Sequence, residues 1–171
     1  MSKGDGWEVK VVTDNFSKQL EALDFVKNNS VYVGIQQKDT TRDGDDVTNA
    51  ELLFIHTNGS PKQNIPPRPV IESALKANSQ QLSKIMSQAA KFALEGKFAE
   101  ALRQLHIAGT RGRDVSKLWF NNPENHWPPN APEVIERKIK KGSTDPKPLI
   151  DTGELRNAIS YFVKTKGGKN K

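Results

Sequence analysis

The chain has 171 residues, enough for one domain with a hydrophobic core and too few for two ordinary domains. Lys and Arg number 26 against 20 Asp and Glu, giving a formal net charge of +6, and four lysines lie in the last eight residues. Disulfides and cysteine-ligated metal sites are excluded because there is no cysteine, and no stretch approaches the roughly 20 apolar residues of a membrane span.

The first part of the chain predicts a strand, a helix and a second strand. Residues 7–12 (WEVKVV) and 31–36 (VYVGIQ) are rich in β-branched and alternating apolar residues, which is typical of strands. Between them, residues 15–28 place Phe16, Leu20 and Leu23 at helical spacing. The polar segment that follows, QKDTTRDGDD, predicts a surface loop.

The middle of the chain predicts helices separated by a proline-rich connector. Thr48 or Asn49 is the expected cap of a short helix, and the four prolines of residues 60–69 make the next segment extended. Apolar residues at helical spacing then predict one long helix over 70–94 and another over 97–120.

Two glycines, Gly109 and Gly112, interrupt the second long helix. They predict either a weakened continuous helix or two helices that meet at a hinge. Arg111 and Arg113 lie beside them and are candidates for a phosphate contact with DNA. The simpler interpretation is a solvated bend, which we favour.

The last part of the chain predicts a loop, a helix and a closing strand. Residues 121–132 form a proline-rich loop that carries Trp127, a candidate core or interface anchor. A short amphipathic helix follows, and residues 158–164 have the composition of a strand that pairs with 7–12 or 31–36. Residues 164–171 are predicted to be a basic, flexible tail.

These elements predict the α+β class: a small mixed or antiparallel sheet packed against long α-helices. We expect one domain over residues 1–163, with the tail following it.

No pattern predicts catalysis, a cofactor or a metal site. Asp151-Thr152-Gly153 resembles the motif of aspartic proteases, but those enzymes need two facing carboxylates, and here Asp151 or Thr152 is better interpreted as a helix cap. The histidines His56, His106 and His126 are not spaced as ligands on one element, and no glycine-rich phosphate loop is present. We therefore expect a protein that is not an enzyme.

Three segments in order resemble the neck or tail-completion proteins of tailed bacteriophages, also called head-tail joining or virion morphogenesis proteins, to which the minor tail protein Z type is related. The segments are VYVGI, then ELLFIHTNG with IPPRPVIESAL, and finally KPLIDTGELRNAISYFV. The order and spacing of these motifs carry the resemblance, which spans most of the chain.

The resemblance is carried by two groups of residues and by Lys138, a basic position before the final linker. The turn and the closing motif are matched by Ile65, Pro66, Arg68, Pro69, Pro148, Leu149, Thr152, Gly153, Leu155, Arg156 and Ile159. The chain departs from the family pattern at His56-Thr57-Asn58, before Gly59, and at Ala158. We expect Arg68 to pair with an acidic side chain or a carbonyl at a helix end.

The resemblance implies a structural protein of the virion neck that joins the tail to the DNA-filled head. It implies an oligomeric ring of identical copies that contacts head-completion, connector, tail terminator or tube proteins. DNA in the channel is a further expected partner, and the host cytoplasm is the expected location during assembly. The alternative is a nucleic-acid-binding module that uses Arg111, Arg113 and the lysine-rich end.

Overall fold

The computed structural model describes residues 16–36, 47–150 and 152–166. Within these residues the chain forms seven α-helices and a two-stranded antiparallel sheet, so the predicted α+β class is confirmed. The predicted strand at 7–12 and the polar loop at 37–46 lie outside the described residues.

The elements follow one another in a simple order. They are α1 (Phe16–Asn28), β1 (Asn29–Ile35), α2 (Asn49–Asn58), α3 (Ile71–Ala77), α4 (Ser79–Leu94), α5 (Phe98–Trp119), α6 (Pro132–Lys140), α7 (Glu154–Ala158) and β2 (Ile159–Thr165). Short 3-10 turns occupy Pro61–Gln63 and Pro123–Asn125.

The two strands join distant parts of the chain. β1 pairs with β2 so that Ile35 faces Ile159 and Asn29 faces Thr165. The closing segment therefore pairs with the second predicted strand, one of the two partners that the sequence left open. Pairing continues through Lys164 and Thr165, two residues into the segment predicted as a flexible tail.

α5 lies across one face of this two-stranded ribbon, and its two glycines make the approach possible. A Cβ added at Gly109 would lie 2.2 Å from Cδ2 of Tyr161, and one at Gly112 would lie 2.8 Å from Cγ2 of Val33. Both glycines are buried in a continuous helix. The interpretation of this segment as a solvated bend is wrong, because the glycines are the contact between helix and strands.

The main core lies where α3, α5, α7 and β2 meet. Its buried members are Val70, Ala74, Val115, Trp119, Phe120, Leu155 and Ile159. Trp127, which the sequence offered as a core or interface anchor, is half-buried and packs edge-on against Phe120, with ring centroids 6.0 Å apart. Its ring therefore extends the core into the proline-rich loop.

The long helix predicted over 70–94 is broken at Asn78. This residue leaves helical geometry with φ −105° and ψ 14°, and its side-chain amide donates to the Ala74 carbonyl at 2.9 Å. A short amide side chain that satisfies a carbonyl of the preceding turn competes with the helical hydrogen bond. Two helices, α3 and α4, therefore replace the single predicted one.

Most of the large apolar side chains of α1 face away from the rest of the described chain. Ala22 is buried and Phe25 stacks on Phe98 at 5.5 Å, so this face packs on the α4–α5 hairpin. Leu20 and Leu23, which the spacing placed on the apolar face, are 46% and 64% exposed. The prediction of a helix is confirmed, but its apolar stripe does not face the core of the described chain.

Candidate functional site

Residues of the second and third segments that carry the phage resemblance line one cleft of about 630 Å³, which we call the motif cleft, whereas the first segment, VYVGI, lies in β1 and does not line it. One wall is α2 with the turn that follows it, and the other is α6 with the closing segment. The lining includes Pro66, Arg68, Lys138, Leu149, Thr152, Gly153 and Leu155. The structure thus brings together Lys138 and residues from two of the three segments that carry the resemblance.

The turn after α2 is built on residues of special backbone geometry. Gly59 has φ 74°, and a Cβ there would lie 2.8 Å from the Ile65 carbonyl oxygen. Ser60 and Ile65 form an isolated antiparallel bridge around the 3-10 turn, and Asn64 has φ 55°. The segment predicted to be extended is therefore a tight hairpin-like turn in its first half, which Pro61 begins, and Pro66, Pro67 and Pro69 follow that turn.

Arg68 is one of two buried cations in the motif cleft, the other being Lys138. It is 5% exposed, its Nε and Nη2 donate to the Pro128 carbonyl at 3.2 and 2.9 Å, and Nη2 also donates to the Pro129 carbonyl at 2.9 Å. The predicted partner was an acid or a helix-end carbonyl, whereas the actual partners are carbonyls of the proline-rich loop. Burial lowers the pKa of Arg68, but a guanidinium stays charged in proteins.

His56 lies next to this cation, on α2. Its carbonyl accepts from the Arg68 backbone N–H at 2.6 Å, and its Nδ1 is buried without a hydrogen-bond partner among the described residues. Burial, and then the charge of Arg68, lower the pKa of His56 to about 4. The imidazole is therefore neutral near pH 7. The sequence analysis noted His56 only as an unsuitable metal ligand and as a departure from the family pattern, and it did not predict its burial in this cleft.

Lys138 fixes the linker that leads to the closing motif. It is 8% exposed, and its Nζ donates to the carbonyls of Lys147, at 2.8 Å, and of Ile150. Because a buried ammonium needs such acceptors, the contact holds residues 147–150 against α6. Lys138, the basic residue implied by the resemblance, thus fixes the position of the linker by hydrogen bonds to its backbone.

The closing motif has the geometry of a helix start. Gly153 precedes α7 with φ 84°, and Thr152 Oγ1 accepts from the Glu154 N–H at 3.3 Å. The N-cap position of α7 is Gly153, with no side-chain capping hydrogen bond, so the interpretation of Thr152 as the cap is wrong, and Asp151 lies outside the described residues. Leu155 is 5% exposed and belongs to the main core.

The other predicted site residues lie around the cleft or away from it. Pro148 and Arg156 are half-buried neighbours, and Pro69 directly precedes the core residue Val70. Arg111 lies on α5 and donates from Nε to Gln81 Oε1 at 3.0 Å. Arg113 pairs with Asp114 at 2.7 Å and lies over the Tyr161 ring at 5.8 Å. Both candidate DNA contacts are thus engaged within the chain.

The lining of the cleft combines charged and apolar side chains. Its two buried cations are held by backbone carbonyls, and Glu133, Arg137 and Glu154 lie in its lining beside apolar side chains such as Val134.

Among the described residues no group of three or more His, Asp or Glu is placed to hold a metal ion, and no described helix is long and apolar enough to cross a membrane.

No protein-family model, curated protein or solved structure matches this chain. The resemblance to phage neck proteins therefore stands on the motif residues themselves, and the function that it implies is a proposal.

Proposed function

We propose that this chain is a structural protein of a tailed-phage virion, which acts at the neck as an oligomeric ring and joins the completed tail to the DNA-filled head. The observation that supports this is the meeting of the motif residues at one cleft. Arg68 spans 60 residues to reach Pro128, and Lys138 fixes the segment that leads into the closing motif. Residues that carry the resemblance thus hold the segments around the motif cleft in one arrangement.

The kind of interactions in the cleft supports a structural role. Arg68 and Lys138 direct their donors at backbone carbonyls, which sets the position of loops. His56 is neutral near pH 7 because its pKa is about 4, and it faces a cation instead of a carboxylate that would orient it as a base. We therefore propose that the chain is not an enzyme.

The proposed partners are other copies of this chain and the neighbouring head-completion, connector, tail terminator or tube proteins. The expected locations are the virion neck and, during assembly, the host cytoplasm. A ring needs heterologous contacts between copies, in which two different surfaces of one chain meet.

Electron microscopy of particles assembled without the chain tests this function. We expect DNA-filled heads and free tails, with normal particles restored when the chain is supplied from a plasmid. Virions with tails attached as usual, in the absence of the chain, would contradict the proposal.

The alternative of a nucleic-acid-binding module has its own test. Affinity for duplex DNA that falls steeply between two salt concentrations would support it, since neutralised phosphates release counterions. Arg111 and Arg113 would have to leave Gln81 and Asp114 to contribute. We expect no salt-sensitive binding that depends on these two arginines.

A further inference from the structure

Arg68 is a buried cation whose acceptors in the described part of the chain are all uncharged. It is 5% exposed, and its side-chain hydrogen bonds go to the backbone carbonyls of Pro128 and Pro129. None of the ion pairs between described residues includes it. Because a buried charge is costly unless a partner of opposite charge compensates it, the positive charge of Arg68 calls for an anion.

Arg68 also keeps unused hydrogen-bond donors. Its contacts with Pro128 and Pro129 use the N–H of Nε and both N–H groups of Nη2, which leaves the N–H groups of Nη1 without a described acceptor. The fully buried polar atoms without a partner among the described side chains are His56 Nδ1 and Trp119 Nε1. Nη1 is therefore accessible, and the motif cleft is the space that Arg68 lines.

The titratable groups around Arg68 do not neutralise it. His56 adjoins it on α2, but burial and the charge of Arg68 lower the pKa of His56 to about 4, so the imidazole is uncharged near pH 7. Glu133 and Glu154 line the same cleft, and among the described ion pairs neither contacts Arg68. Glu154 Oε2 instead accepts from Thr152 Oγ1 at 3.2 Å.

The motif cleft has room for a small organic group. Its volume of about 630 Å³ lies within the range of pockets that bind small ligands. Apolar side chains form part of the lining, namely Leu52, Ile65, Val134 and Leu149. A ligand with a short apolar stem therefore has surface to pack against.

The charges of the described lining favour an anion of low charge. Three cations, Arg68, Arg137 and Lys138, lie in it with two carboxylates, Glu133 and Glu154, so one positive charge is in excess near pH 7. The two carboxylates would repel a phosphate dianion more strongly than a monoanion. A carboxylate meets this condition and is a good acceptor for a guanidinium.

We propose that the motif cleft binds an organic carboxylate, whose oxygens accept from Nη1 of Arg68 while its apolar stem packs on the wall that includes Val134. The carboxylate supplies the negative charge that the described neighbours of Arg68 do not. A small organic acid and an acidic side chain of a protein segment both present this group. The site is a property of the isolated chain and does not rest on the proposed neck function.

An NMR titration of the full chain near pH 7 tests the site, with sodium butyrate replacing sodium chloride so that the ionic strength stays constant. Butyrate has a carboxylate on a short apolar stem, and butyramide is its uncharged counterpart. We expect butyrate to shift the side-chain signals of Arg68 and His56 until they saturate, and butyramide to leave them unchanged. The signals of Arg103, which is exposed on α5 outside the cleft, should not move.

Two variants of α6 locate the binding. Val134→Glu adds a carboxylate to the cleft wall and leaves Arg68 in place, so butyrate should bind about tenfold more weakly or less, because like charges repel at close range. Ile139→Glu is the matched control, since Ile139 is 56% exposed on the same helix and does not line the cleft. This variant should bind butyrate like the unaltered chain.

A second pair of probes distinguishes the two sources of the carboxylate. A tripeptide with blocked ends and a central glutamate is compared with the same peptide carrying glutamine. Tighter binding of the glutamate peptide than of butyrate would assign the carboxylate to a protein segment. Binding of butyrate at least as tight as that of the peptide would assign it to a small acid, and both results support the site.

Other outcomes overturn the proposal. The absence of a saturable shift with butyrate would show that the cleft does not bind a carboxylate, and equal shifts with butyramide would show that the charge is not recognised. Inorganic phosphate bound as tightly as butyrate would reject the preference for a carboxylate. An equal loss of binding in Ile139→Glu and Val134→Glu would place the effect in the overall charge of the chain and not in the cleft.

Discussion

Arg68 and Pro128, 60 residues apart, are joined by two hydrogen bonds that run from Nε at 3.2 Å and Nη2 at 2.9 Å to one carbonyl oxygen. The contact ties the turn after α2 to the loop before α6, which form opposite walls of the motif cleft. A planar guanidinium suits this task because several donors are fixed in one plane. The cleft depends on this cation for its shape.

Arg68→Ala should lower the free energy of unfolding by about 1 to 3 kcal/mol, because the carbonyls of Pro128 and Pro129 lose a charged donor. Arg68→Lys should recover part of this loss, since an ammonium keeps the charge but not the fork of donors. Urea unfolding of both variants measures the effect. Arg103→Ala, on an exposed arginine of α5, is the control, and an effect as large at Arg103 as at Arg68 would contradict the structural role.

Gly112→Ala should destabilise the chain although it lies inside a helix. At an open helical position, alanine stabilises by about 1 kcal/mol relative to glycine. Here the new Cβ would lie 2.8 Å from Val33 Cγ2 and 3.3 Å from Leu75 Cδ2, and overpacking of this kind costs about 1 to 3 kcal/mol. A melting temperature that rises in the variant would show that the helix does not lie this close to the ribbon.

Gly153 is expected to tolerate substitution poorly because of its backbone and not because of packing. Its φ is 84°, while a Cβ would meet only Asn157 Nδ2 at 3.8 Å and Arg156 Nη2 at 3.9 Å. Gly153→Ala should cost about 1 to 2 kcal/mol, and Gly153→Asn should cost less, since asparagine adopts this conformation more readily. Gly34→Ala, where a Cβ meets nothing within 4 Å, is the control. Equal losses for Ala and Asn would point to packing instead.

The stability of the chain should fall as the pH drops from about 6.5 to about 4, in part because of His56. Burial and Arg68 lower its pKa to about 4 in the folded chain, from 6.5 in the unfolded chain. Between these values the unfolded state binds more protons, so acid favours unfolding, and below about 4 the contribution no longer changes.

The His56→Leu variant isolates this effect, since leucine binds no proton in either state. Its free energy of unfolding should depend less steeply on pH across that window than that of the unaltered chain. Urea titrations at several pH values measure the difference. Equal slopes for the two proteins would show that His56 is not held in its neutral form.

The sequence predicted element types better than it predicted which faces meet. The helical spacing of Leu20 and Leu23 correctly indicated α1, but periodicity does not say which partner covers an apolar stripe. Gly109 and Gly112 carry a low helix propensity, and only the position of Tyr161 and Val33 shows that the missing side chains make room for the ribbon. In α1 and at the two glycines of α5, tertiary contacts, and not the local sequence pattern, thus decide which faces meet.

The candidate site was predictable in part. The motif residues Arg68 and Gly153 were singled out, but Arg68 was expected to pair with an acid or a helix-end carbonyl, and its acceptors are the loop carbonyls of Pro128 and Pro129. His56 gave no signal, because its burial arises only when the turn after α2 folds back onto that helix. The break at Asn78 was also missed, since the apolar pattern continues through it while its side chain bonds to Ala74.

We propose that copies of this chain form part of the phage neck, and an averaged electron-microscopy image of the neck is the most direct test. We expect a ring of density between head and tail into which several copies of this fold can be placed. A neck whose density is fully explained by other proteins, with no copy of this chain, would contradict the proposed function.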